Sequence, residues 1–171
     1  MKKIIVLAFI LALGAIGANA QKYALVDMEY ILKNIPAYEM ANEQLNAISK
    51  KWQAEIESVQ QERDNLYKAY QADLVFLSEE MKSKRADQVI AKEKEAQDLK
   101  RKYFGNDGEF IKKRESLIKP IQDEIYNAIK DIAEKQGYAV VLDRGSAMSI
   151  IFATPKIDIS NEVLTKLGYA R

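Results

Sequence analysis

Histidine and cysteine are both missing from the 171 residues, and glycine (7) and proline (3) are scarce. Without His or Cys there is no thiol nucleophile, no His-dependent catalytic triad and no His/Cys zinc site. Carboxylate pairs and Ser-Lys dyads survive that exclusion, but none stands out from the charged background, so the chain reads as a non-enzyme without cofactor or metal. No disulfide can staple the fold, and stability must come from packing or assembly. A surplus of either charge is missing too: 26 Lys+Arg face 25 Asp+Glu. A nucleic-acid binder would carry a clear basic excess, so nucleic acid is not an expected partner.

What is present begins with an export signal. Lys2-Lys3 precede the apolar run Ile4–Leu13, and Ala18-Asn19-Ala20 forms a small-x-small cleavage site. The apolar run is short for a membrane span and no cysteine follows for lipidation, so residues 1–20 read as a signal peptide removed after Ala20. Losing Lys2 and Lys3 leaves 151 residues and turns a net charge of +1 into −1.

The remaining glycines all lie at or beyond Gly105, and from Ala37 to Phe104 there are 68 residues with neither Gly nor Pro. Average globular helices run about 11 residues, so a breaker-free stretch of this length means long helix. Leu45, Ile48, Trp52, Ile56, Val59, Leu66, Tyr70, Leu74 and Leu77 recur every 3 or 4 residues with one gap at Arg63, a seam close to a coiled-coil repeat. Folding the chain back near Leu77-Ser78 sets apolar residues opposite apolar ones: Leu74 and Met81, Leu66 and Val89, Val59 and Ala96, Trp52 and Tyr103. A straight rod would not show that mirror symmetry. Ser78-Glu79-Glu80 supplies an N-cap and two acids for the second helix. The arms are complementary in charge, net −3 over residues 37–77 and +3 over 79–119. The sequence therefore predicts an antiparallel helical hairpin over 37–119 with its tip near 77–80. Gly105-Asn106-Asp107-Gly108 interrupts the returning arm as a register-adjusting bulge or a hinge.

The distal arm is short of apolar side chains. Between Lys82 and Lys102, 12 of 21 residues are charged, so the tip should splay and bend easily. Tyr67, Tyr70, Leu74, Phe76 and Met81, with Lys84 and Arg85, are the candidate residues for gripping an unfolded or lipidic partner. Weak contact with anionic lipid through the arm's lysines is a lesser expectation, because acids are interleaved among them.

The flanks, 21–36 and 120–171, predict a small β-containing body. Tyr23–Asp27 reads as a strand, followed by a short helix over Glu29–Lys33 stopped by Pro36. Tyr138–Asp143 and Ser149–Ala153 read as a β-hairpin around Arg144-Gly145-Ser146. Ile121, Ile125, Ile129 and Ile132 form a helical stripe to dock on the sheet. Ser160 caps a last helix that ends at Gly168. So small a sheet cannot bury both faces, and Tyr23, Leu25, Val140, Leu142, Ile151 and Phe152 predict self-association through it. The fold class is thus α+β, a small sheet body with a long helical-hairpin arm.

Taken in order, the signal segment, Tyr23-Ala24-Leu25-Val26-Asp27-Met28, the hairpin, Tyr138–Asp143 and Asp158-Ile159-Ser160-Asn161-Glu162-Val163-Leu164 resemble the Skp (OmpH-like) periplasmic chaperone family. The resemblance implies a homotrimer whose strands form a body and whose three arms enclose a cavity. It also implies a periplasmic, ATP-independent holdase for unfolded outer-membrane β-barrel proteins. Members of that family are markedly basic and credited with lipopolysaccharide contact; this chain is not basic, so no such site carries over. A structural coiled-coil envelope or adaptor protein is the competing reading.

Overall fold

The computed structural model describes residues 21–146 and 150–169. The expected signal peptide, its cleavage site and Ser149 lie outside the described residues. Residues 33–124 form one compact unit, and residues up to Leu32 together with those from Ile125 onward form another. The first unit is a helical hairpin, and the second is built around a small sheet.

In the arm, α2 (Pro36–Asp73) is a single helix of 38 residues. Pro36 opens it rather than closing the preceding turn, because the missing N–H is no loss in the first turn of a helix. The helix stops at Asp73, a few residues before the expected tip near 77–80, in a turn where the Phe76 amide donates to the Asp73 carbonyl at 2.8 Å. The chain restarts at Ser78, whose hydroxyl accepts from the Met81 amide at 3.3 Å and caps α3 (Glu79–Phe104). The arms meet in the fold-back register the seam requires. Trp52 stacks on Tyr103 with ring centroids 4.7 Å apart. Ion pairs Arg63–Glu93, Glu62–Lys92 and Asp73–Arg85 keep to that register within three positions. After Gly105–Gly108 the chain resumes as α4 (Glu109–Gln136), whose residues divide between the two units at Ile125.

In the body, β1 (Lys22–Val26) pairs with β2 (Tyr138–Asp143) in parallel, Tyr23 opposite Val140 and Val26 opposite Asp143. Parallel neighbours need a long crossover, and here the entire arm is that connection. The expected β-hairpin does not form, since Ile150–Ala153 lie in no strand. Asp143 turns the chain instead: its carboxylate accepts the Gly145 amide at 3.1 Å, and its carbonyl accepts the Ser146 hydroxyl. Beyond the one-turn 3₁₀ helix Pro155–Ile157, Asp158 bridges to Leu25 and the Ile159 amide donates to the Leu25 carbonyl at 2.9 Å.

The short α1 (Met28–Lys33) begins under Asp27, whose carboxylate accepts the Tyr30 amide at 2.8 Å. On α4 the body's buried residues are Ile125, Ala128 and Ile132, whereas Ile129 is only half-buried. At about 100° per residue, Ile129 drifts to the flank of the stripe and Ala128 takes its place. Finally α5 (Ser160–Lys166) buries Val163 and Leu164. It ends in a Schellman turn: Gly168 has φ +82°, and the Tyr169 amide reaches back to the Leu164 carbonyl at 2.8 Å. Ser160 is not its N-cap. That position falls to Ile159, and the buried Ser160 hydroxyl instead accepts the Asp27 amide at 2.8 Å and donates to Asp158 at 2.6 Å.

Candidate functional site

The proximal part of the α2–α3 pair has a core of Ile56, Val59, Ala96 and Tyr103, all buried. Beyond it the core stops. From Gln60 to Glu95 no residue is buried. Polar groups bridge the helices there: Arg63, the gap in the apolar seam, pairs with Glu93 and with Asp64 at 2.7 Å. Lys92 pairs with Glu62 at 2.8 Å and Glu95 at 2.9 Å. Arg63 holds the Glu93 carboxyl below its ordinary range, and Glu62 holds the Lys92 ammonium above its own. Such exposed pairs contribute little each and are screened by salt, so the distal arm, with only half-buried apolar side chains beside them, is weakly held.

All seven candidate gripping residues lie on this stretch. Phe76 is 88% exposed, Tyr67 and Met81 are about half exposed, and Lys84 is exposed. Tyr70 and Leu74 are half-buried, and Arg85 is engaged with Asp73 at 3.5 Å. Two apolar residues missing from the sequence-based set join them: Val75, also 88% exposed, and Ile90. Their signals were readable. Val75 belongs to a four-residue apolar run that crosses a turn, and of the adjacent Val89 and Ile90 only one can face the partner helix.

A second apolar surface lies on the body. Tyr23, Val140 and Leu142 are each roughly half exposed, Phe152 is 87% exposed and Ile151 fully so. Leu25 does not belong with them. It is buried in the core of the chain itself, because the Asp158–Ile159 segment hydrogen-bonds along β1 at Leu25 and leaves Tyr23 at the open end of that array.

At the ends of β1 and β2 three aspartates are tied together. Asp143 accepts the amides of Met28 and Gly145, Asp158 accepts the Ser160 amide and hydroxyl, and Arg144 spans Asp158 at 3.1 Å and Asp27 at 3.8 Å. Each carboxylate is engaged in joining a strand end to a helix, and among the described residues no group of acids is disposed to hold a metal. Burial alone would raise Asp143, but the Met28 amide and the Ser146 and Gly145 groups outweigh it and hold the carboxyl below its usual range. Asp158 behaves alike, burial being overcome by Ser160 and then Arg144. A carboxyl depressed in the folded state contributes stability in full above its unfolded value, about 4, and loses it as pH falls through the folded value. The body should therefore hold constant stability down to about pH 4 and weaken below it. Thermal melts followed by circular dichroism at pH 7, 4 and 3 check this, with Asp143→Asn expected to flatten the acid limb.

Residues 22–167 match the family described as Outer membrane protein (OmpH-like). Chaperone protein Skp of Yersinia enterocolitica is 28% identical over 160 residues, covering 92% of this chain and 93% of the relative. Chaperone protein Skp of Pectobacterium atrosepticum is 27% identical over 163 residues, covering 94% of each. The crystal structure of an OmpH-like protein from Caulobacter crescentus CB15 shares the fold, with a TM-score of 0.68 at 19% identity over 88% of this chain and 86% of that one. Because the match takes in the first strand, the arm and the body together rather than a helical stretch alone, the chain belongs to the OmpH-like outer membrane protein family.

Proposed function

We propose that the protein is an ATP-independent periplasmic holdase that captures unfolded outer-membrane β-barrel proteins between the arms of a homotrimer and prevents their aggregation. The family is one of chaperones rather than enzymes. The observation that carries the reading is the distal arm: 36 consecutive residues, 60–95, without a buried side chain, yet bearing Tyr67, Val75, Phe76, Met81 and Ile90 at the surface. A structural spacer needs tightly packed arms. A holder of unfolded chains needs accessible apolar groups on a compliant support, and many weak contacts allow release without nucleotide energy.

In this reading Tyr67, Tyr70, Leu74, Phe76 and Met81, joined by Val75 and Ile90, supply apolar contacts, and Lys84 and Arg85 supply diffuse charge. Residues 37–119 are the arm, and 21–36 with 120–171 are the body that assembles. Tyr23, Val140, Leu142, Ile151 and Phe152 form the subunit contact, which removes from water apolar surface that a lone subunit leaves exposed. Maturation is by cleavage after Ala20, and contact with anionic lipid is weak. The test dilutes a denatured outer-membrane barrel protein with and without the mature protein at equimolar trimer. Suppressed light scattering and co-elution are expected without ATP; neither appearing would sink the reading.

A further inference from the structure

We infer that the Gly105–Gly108 break is a locked elbow, clamped by the aromatic cluster of Trp52, Tyr103, Phe104 and Phe110, so that the arm bends only beyond it. Glycine is often placed for conformational freedom, but these two are placed for space. Neither has a positive φ. A Cβ on Gly105 would sit 2.4 Å from the Arg101 carbonyl oxygen, and one on Gly108 would sit 2.7 Å from that of Tyr103 and 2.9 Å from the Gly105 nitrogen. The chain is pressed against its own backbone at both positions, and Gly108 is buried. Hydrogen bonding continues through the break: the Gly105 amide donates to Arg101 at 2.9 Å, Gly108 to Gly105 at 2.9 Å and Lys112 to Gly108 at 3.3 Å.

Aromatic rings then tie the two sides of the break to each other and to the opposite helix. Trp52 of α2 stacks on Tyr103 with an interplanar angle of 6° and meets Phe104 edge-on at 6.2 Å. Phe104, the last residue before the break, contacts Phe110, just after it, at 6.0 Å. The Tyr103 hydroxyl donates to both carboxylate oxygens of Glu55 at 3.0 Å, a further tie across to α2. A free hinge would have few packed contacts; here Gly108 is buried and rings from both sides of the break pack on one another and on Trp52. Motion is left to residues 60–95, where nothing is buried. The clamp does not depend on the holdase reading, although it would confine client-driven bending to the distal arm.

Trp52 is the only tryptophan, so its emission reports the elbow directly. Hydrogen exchange on the free, mature protein should show the bonded amides of Gly105, Gly108 and Lys112 exchanging at least about tenfold more slowly than the amides of residues 66–90. Trp52→Ala should bring those three amides to the rate of the tip while leaving the body's β2 unchanged. Gly108→Ala, which keeps the fluorophore, should red-shift Trp52 emission as the elbow is forced open. Exchange of those three amides as fast as the tip in the unaltered protein would overturn the clamp. So would a Gly108→Ala variant with unchanged emission and exchange. No client enters these measurements, so a failed clamp leaves the holdase reading standing.

Discussion

Replacing residues 60–95 by a four-residue Gly/Ser turn is expected to abolish protection of a denatured barrel protein while leaving the proposed assembly and the melting behaviour intact. The cut falls where the physics changes. Val59 and Ala96 are both buried and lie level in the fold-back register, so a short turn between them closes the hairpin at its last packed layer; antiparallel helices join through about 2–5 residues. Everything removed is exposed or half-buried, so little stabilising burial is lost. Protection should drop to the level of the client alone, read as light scattering, with light-scattering mass and circular dichroism reporting assembly and folding. Full protection by the shortened protein would place client binding elsewhere and return the distal arm to a spacer role.

Ile125→Ala is expected to cost about 2–5 kcal/mol, the range for deleting a fully buried large aliphatic side chain. Ile125 has no exposed surface. It lies in the body, a unit with two short strands among the described residues and, in a chain without cysteine, no disulfide to share the load. Lost transfer energy and the residual cavity add, and a thermal transition lower by more than about 10 °C is expected in so small a unit. The exposed neighbour Asn127 is the control: Asn127→Ala should change stability by no more than about 0.5 kcal/mol. Equal melting of Ile125→Ala and the unaltered protein would show that the body's stability rests on contacts other than this stripe.

The arm was legible because its information is local and periodic. A helix is specified by residues 3 and 4 apart, the absence of Gly and Pro is visible at a glance, and the Ser78-Glu79-Glu80 cap marks the turn to within a few residues. The body was less so. Tyr138–Asp143 and Ser149–Ala153 have strand composition and a turn between them, and nothing local says that β2 prefers a partner more than 100 residues away. The outcome hangs on Asp143 and Arg144, whose side chains tie the strand ends to Met28 and Asp158. Leu25 was misplaced for the same reason: strand alternation puts it with Tyr23, and only the distant Asp158–Ile159 segment distinguishes the two positions.

The amino-acid sequence by itself determined the exclusion of thiol and imidazole chemistry, the long hairpin and its turn, and the scarcity of apolar glue toward the tip. Each follows from composition or from short-range periodicity. Tertiary structure alone decided the parallel β1–β2 pairing, the transfer of Leu25 from surface to core, and the packed state of Gly105–Gly108. Those depend on which distant segments come to lie against each other, and the free energy that selects among such arrangements belongs to contacts between residues far apart in the chain.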